Sequence, residues 1–170
     1  MKLLKYRRLV VILMSLPLIF AFGVMTSVAQ EKIKLKDRRY WFATKMEVMK
    51  VDDTEGHIIQ IMEQKGVDVG SGDVSFNRSV SDLVKGNGTL QGYSTTRGPD
   101  GSNARFFKVQ GTVTTTLSPE GNPIITVEGT GSLIRGTGKY EGFQGGGTFK
   151  VKVIPEGIAV MDWEYELTKK

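Results

Sequence analysis

The sequence predicts an all-β protein, an eight-stranded antiparallel closed barrel that follows an N-terminal export signal. Three observations carry this expectation. After residue 40, short segments alternate apolar and polar residues, the period of a strand with one buried face. Clusters of Gly, Pro, Asp and Asn separate these segments at hairpin spacing. The chain also has 21 glycines, many of them inside the alternating pattern, where strands bend, bulge or approach another backbone closely.

The first 29 residues have a different character. Lys2, Lys5, Arg7 and Arg8 open the chain with no acid, an apolar run extends from Leu9 to Val28, and Ser27-Val28-Ala29 sets small residues before Gln30. This is the layout of a cleavable secretory signal. The apolar run is about 20 residues, long enough to span a bilayer as an anchor, but Pro17 and the small-residue site favour cleavage and a periplasmic or extracellular product with no membrane span. The full chain carries 23 Lys and Arg against 18 Asp and Glu, a net charge of +5. Loss of those four basic residues leaves 19 against 18, or +1. Bulk charge therefore gives no reason to expect a nucleic-acid partner. Cysteine is absent, which excludes disulfides, thiol nucleophiles, thiolate metal sites and lipid attachment through sulfur. Residues 30–39, with Lys32, Lys34, Lys36, Arg38 and Arg39 beside Glu31 and Asp37, are expected to be a solvated polar lead-in. Residues 40–170 make one domain.

The elements follow in order. In 40–51, Tyr40, Phe42, Met46 and Val48 share one side. Asp52-Asp53-Thr54-Glu55-Gly56 is a turn, and 57–65 is a second strand ending at Gly66. Residues 67–76, broken by Gly70-Ser71-Gly72, form a short or bulged third strand, and 79–85 is ambiguous, with room for a helical turn. Residues 89–96 are the next strand, and Gly98-Pro99-Asp100-Gly101-Ser102 is a hairpin turn. The cleanest strand is 105–117, in which Phe107, Val109, Val113 and Leu117 alternate with polar residues. A turn at 118–123 leads to the strand 124–134. Phe149, Val151 and Val153 alternate in the seventh strand, and Pro155-Glu156-Gly157 turns the chain. In the last strand Ala159, Met161, Trp163, Tyr165 and Leu167 face one way and Asp162, Glu164 and Glu166 the other.

Short connections imply antiparallel neighbours, and one apolar face per strand implies a closed or stacked sheet. Glycines in mid-pattern favour closure. Gly86, Gly88 and Gly92 share a G-x-G-x-x-x-G layout with Gly136, Gly138 and Gly142, each followed by an aromatic, Tyr93 or Phe143. With Gly145 and Gly147 these glycines are expected to serve backbone geometry at barrel corners, the aromatic covering bare backbone of a neighbouring strand. An eight-stranded barrel has an interior that side chains fill or that holds one small ligand.

The stretch from Gly136 to Thr148, with Tyr140 between its glycines, resembles the signature of the allene oxide cyclase and dirigent-like barrels, a calycin-like architecture. Gly56-His57, Glu63-Gln64-Lys65-Gly66 and Asp100-Gly101-Ser102 are similar to what bacterial members of that group carry. The resemblance covers most of 40–170. It implies an eight-stranded barrel with a hydrophobic cavity, often assembled as a trimer, and an isomerase or cyclase activity exerted by holding a reactive lipid-like substrate in one geometry. The glutamate, asparagine and cysteine of the plant cyclases have no counterpart here, and the dirigent acid pair does not match residue by residue.

Candidate chemistry is sparse. Glu63 shares the parity of Ile59 and Ile61; in an apolar interior its carboxyl would have a raised pKa and could transfer a proton, whereas a strand-end bulge would turn it to solvent. Glu63 and Tyr140 are the catalytic candidates. Arg105 shares the parity of Phe107 and could meet a ligand carboxylate or Glu63, although a strand's first residue is expected to be exposed. Tyr93, Arg105, Phe107, Tyr140, Trp163 and Tyr165 are the ligand-lining candidates. His57, the one histidine, follows a glycine turn and is expected at the surface. The glycine stretch lacks the third Gly of a dinucleotide fingerprint and the Ser or Thr of a P-loop. No cofactor or metal is expected. The first functional expectation is binding of a small apolar or amphipathic molecule; the alternatives are the cyclase and a structural module forming a homo-oligomer, trimer or dimer.

Overall fold

The computed structural model describes residues 30–154 and 157–170. Residues 1–29, where an export signal is expected, and Pro155-Glu156 of the expected last turn lie outside them. Eight strands run β1 (Lys32–Lys50), β2 (His57–Asp68), β3 (Val74–Val84), β4 (Asn87–Arg97), β5 (Ala104–Leu117), β6 (Pro123–Thr137), β7 (Phe143–Val153) and β8 (Ala159–Lys169). Each is antiparallel to the next, and β8 pairs back onto β1 to close the barrel. The expected fold is the observed one. Connections 51–56, 85–86 and 118–122 lie at one end, with residues 154 and 157–158. Connections 69–73, 98–103 and 138–142 lie at the other, with residue 30 and the C-terminus.

In β5, β7 and β8 the core is the predicted face. Phe107, Val109 and Val113, then Phe149, then Ala159, Met161, Trp163, Tyr165 and Leu167 are buried. An aromatic group fills the centre: Trp163 lies 4.7 Å from Phe107, 5.6 Å from Tyr165 and 5.8 Å from Phe149, centroid to centroid, distances at which tilted rings attract.

The first three strands depart from expectation. Residues 30–39 are no lead-in: from Lys32 onward they form the first half of β1, paired with β8 from Lys32↔Thr168 to Trp41↔Ala159. The outward cations meet the acidic outer face of β8, Lys32 and Lys34 on Glu166, Lys36 on Glu164 and Arg38 on Asp162. Such exposed pairs contribute little energy individually, but together they match one register. An irregularity between Ala43 and Lys45 then shifts the parity of β1. Tyr40 and Phe42 lie outside the barrel, while Met46 stands opposite Met62 on the inner side. The four residues expected on one side are thus split two and two. Residues 79–85 hold no helical turn, since 74–84 is one strand.

Strand β2 faces opposite to its predicted parity. Gly66 packs under Trp41, so close that a Cβ at Gly66 would sit 2.6 Å from the indole. Gly66 must therefore face inward, and period two then turns Ile58, Gln60, Met62 and Gln64 in and Ile59, Ile61 and Glu63 out. Trp163 lies on Gly131 in the same way, 2.5 Å from a would-be Cβ. Of the named glycines, Gly86, Gly138 and Gly142 have positive φ in connections, and Gly145 has it within β7. At Gly88, Gly92, Gly136 and Gly147 a Cβ would strike backbone. They serve backbone geometry as expected. The expected coverer Tyr93 instead lies outside, and the rings found against glycine backbone include Trp41 on Gly66, Phe149 on Gly129 and Trp163 on Gly131.

Gly131→Ala should lower the unfolding free energy by about 1–3 kcal/mol, the usual cost of overpacking a filled interior. Denaturant titration checks this; a loss well under about 0.5 kcal/mol would contradict the contact with Trp163.

Candidate functional site in the barrel interior

Five ionisable side chains meet inside the barrel toward the end that carries the termini. Strand β1 places Asp37 and Arg39 on the inner face, the β2–β3 connection supplies Asp73, the second residue of β5 is Arg105, and β8 supplies Tyr165. Arg39 is fully buried and Arg105 is 3% exposed. Arg39 donates to Asp37 and, at 2.9 Å, to the hydroxyl of Thr96, which bonds Ser75 at 2.9 Å. Arg105 donates to Asp73 and to the Tyr165 hydroxyl. Tyr165 donates in turn to Asp37 Oδ2 at 3.0 Å. Two guanidiniums and two carboxylates make the group neutral, which is the condition for burying charge at tolerable cost. Burial holds the Tyr165 pKa far above its ordinary value, with Asp37 adding and Arg105 opposing. The phenol thus stays a donor. The Arg39 guanidinium lies 5.4 Å from the Trp163 ring, and that of Arg105 lies 4.8 Å from Tyr140.

Beyond the aromatic group lies a small cavity of about 60 Å³, lined by Trp41, Asn77, Leu90, Ser94, Val109, Val127, Phe149, Val151, Met161 and Trp163. It has room for a few waters but is smaller than the ~150 Å³ that takes a benzene ring. Its walls are almost wholly apolar, yet the indole N–H groups of Trp41 and Trp163 and the hydroxyl of Ser94 are buried without hydrogen-bond partners. Buried donors are normally satisfied, so three on residues that line one apolar cavity are a specific feature. Arg39 Nε and Asp68 Oδ2, on residues directly opposed between β1 and β2, are also buried and unpartnered.

The candidate residues separate clearly. Trp163 lines the cavity, and Phe107 packs on it. Arg105 and Tyr165 are buried within the ion cluster and Tyr140 is buried beside it; the expectation of an exposed Arg105 fails because its charge is paired inside. Tyr93 is 62% exposed on the outer surface, since Ser94 and Thr96 take the inner face of β4. Glu63 is outside as well, paired with Arg78 at 3.5 Å, and cannot meet Arg105. Neither catalytic candidate lines the cavity. Sequence reasoning missed Asp37, Arg39, Trp41, Asp73 and Ser94. The missed signal was the alternation of Ile33, Leu35, Asp37, Arg39 and Trp41, five inward positions in a segment dominated by charge.

His57 is partly buried rather than free at the surface. Its ring joins Asp53 through Nδ1 at 2.5 Å and Asp82 through Nε2 at 2.8 Å. The bonds to Asp53 and Asp82 raise its pKa above the ordinary 6.5. The two carboxylates sit on opposite ring nitrogens and cannot converge on one ion. Among the described residues, no three His, Asp or Glu side chains are grouped to hold a metal.

Two solved structures are similar in overall shape. The pterocarpan synthase dirigent protein GePTS1 has 11% sequence identity and a TM-score of 0.48, over 86% of this chain and 92% of that one. The pterocarpan synthase dirigent protein PsPTS1 has 13% identity and a TM-score of 0.49, over 82% of this chain and 96% of that one. The barrel assignment rests on the closed ladder of strand pairs and not on this likeness. No protein-family model matches the chain, and no curated protein matches it.

Two outcomes follow from the site. Asp37→Asn strands the buried guanidinium of Arg39, which has no other carboxylate partner among the described residues, and should cost about 3–5 kcal/mol of stability, as for other broken buried pairs. Asp37→Leu combined with Arg39→Met should cost less, and denaturant titration of the three proteins checks the order. For His57, a raised folded pKa means that its contribution is fully present below pH 6.5 and is lost as pH rises through the folded value. The depressed pKa of Asp53 removes the contribution again as pH falls below 3.8. The melting temperature gap between wild type and His57→Gln should thus be widest between those values and close in alkali. A gap independent of pH would contradict the charged triad.

Proposed function

We propose that this protein is an exported binding barrel for a small, mostly apolar molecule that carries one hydrogen-bond acceptor. One observation carries the reading: two indole N–H groups and a hydroxyl are buried and unpartnered on residues that line one small, otherwise apolar cavity. A ligand oxygen would satisfy donors whose burial is otherwise costly, and the hydrocarbon body would sit against Val109, Val127, Val151 and Phe149. The cavity must enlarge to admit even a ring-sized molecule. Met161 and Leu90 form part of its wall, and methionine repacks readily. Export is inferred from the basic start, apolar run and small-residue site of 1–29.

Steering of a reactive substrate, as the resemblance of the glycine stretch to the allene oxide cyclase and dirigent-like barrels suggests, is the second reading. Such an activity needs a held conformer more than a catalytic dyad, and the aromatic walls of the cavity would supply one. Proton transfer by Glu63 or Tyr140 forms no part of it, because neither side chain lines the cavity.

Calorimetric titration with a small cyclic ketone and the cycloalkane of the same ring size tests the binding reading. The ketone should bind several-fold more tightly, as one or two hydrogen bonds of about 0.5–1.5 kcal/mol each would give. Ser94→Ala should narrow the difference. Equal affinity for the two probes, or binding of neither, would overturn it.

A further inference from the structure

Strand β1 is paired on both edges for only part of its length. Its ladder with β8 ends at Trp41↔Ala159, whereas its ladder with β2 continues to Lys50↔Ile58. Residues 42–50 therefore have a strand on one side and, among the described residues, none on the other. Every one of them is exposed. Phe42 is 44% exposed, Met46 58%, Val48 51% and Met49 61%. A row of free backbone donors and acceptors beside apolar side chains is a template for pairing with another strand.

We propose that this edge pairs with the same edge of a second copy, antiparallel about a two-fold axis at Met46. The charges select both the occupant and the register. Lys45 and Glu47 are the outward charged residues of this segment and bond each other at 2.6 Å within the chain. With the axis at Met46, Lys45 stands opposite the partner's Glu47 and Glu47 opposite the partner's Lys45, two cross-strand pairs of opposite sign. The same step sets Met46 against its copy. An axis at Glu47 would oppose two glutamates, and one between Glu47 and Val48 would oppose Lys45 to Lys50. The irregularity between Ala43 and Lys45 and the flanking lysines keep the edge from accepting any strand in any register. A two-fold contact of this kind uses the same patch on both copies, so assembly stops at the dimer.

Charge exchange tests the pairing without touching the core, because both residues are more than half exposed. Sedimentation velocity over a wide concentration range should show the wild-type chain in a monomer–dimer equilibrium. Lys45→Glu and Glu47→Lys should each be monomeric alone, because like charges then face each other. A mixture of the two variants should dimerise again, since the wholly acidic edge of the first then meets the wholly basic edge of the second. A wild type that stays monomeric throughout would overturn the proposal. Single variants that associate like the wild type would also overturn it, and would move the contact to the outer face around Tyr40, Phe76 and Tyr93. A mixture that stays monomeric while the wild type dimerises would rule out the register about Met46.

Discussion

The structure depends on the neutral cluster of Asp37, Arg39, Asp73, Arg105 and Tyr165. Its members come from the first strand, the β2–β3 connection, the fifth strand and the last strand, so one set of charge-assisted bonds ties together parts of the wall that are distant in sequence. Each bond is of the stronger class because a charged group takes part. Their value lies less in net energy than in the cost of any alternative arrangement, which would leave a charge buried and alone. The cluster fixes which face of β1 and which end of β5 turn inward, and the salt-bridged outer surfaces of β1 and β8 agree with that choice.

That constraint shapes the rest of the interior. Arg39 packs beside Trp163, Trp163 rests on the bare backbone of Gly131, and Phe107, Phe149 and Tyr165 close around the indole. The terminal end of the barrel is thereby filled with polar and aromatic groups. What space remains is apolar in its walls, and three of the residues lining it hold unsatisfied donors. Unpartnered polar atoms occur at two places, Arg39 Nε with Asp68 Oδ2 and the residues lining this cavity, and only the second adjoins free space, so the cavity carries the functional reading.

Much of the fold could be read from the sequence, for a physical reason specific to each strand. In β5, β7 and β8 one face is apolar and the other polar, so the period of two identifies the inside directly. In β2 isoleucines occupy both faces, and only the contact of Gly66 with Trp41 decides the parity; this is how Glu63 was expected inside and lies outside. In β1 the inward set includes Asp37 and Arg39, which look solvated until their partners on other strands are known. Phe107 and Trp163 were identifiable as interior residues by alternation alone. Arg105 was identifiable by parity, but its burial depends on Asp73 and Tyr165, 32 and 60 residues away. The donors on Trp41 and Ser94 left no trace in the pattern, since an unsatisfied bond is a property of packing.

The protein's two tryptophans both line the cavity, so one spectrum reports on the central claim. In a ¹H–¹⁵N correlation spectrum of uniformly labelled protein, the two indole N–H resonances can be followed as a small ketone is added. Both indole protons should move downfield, as expected when an unpartnered N–H gains an acceptor, and the matching hydrocarbon should not produce the shift. Indole resonances unmoved by saturating ketone, or moved equally by both molecules, would contradict the claim.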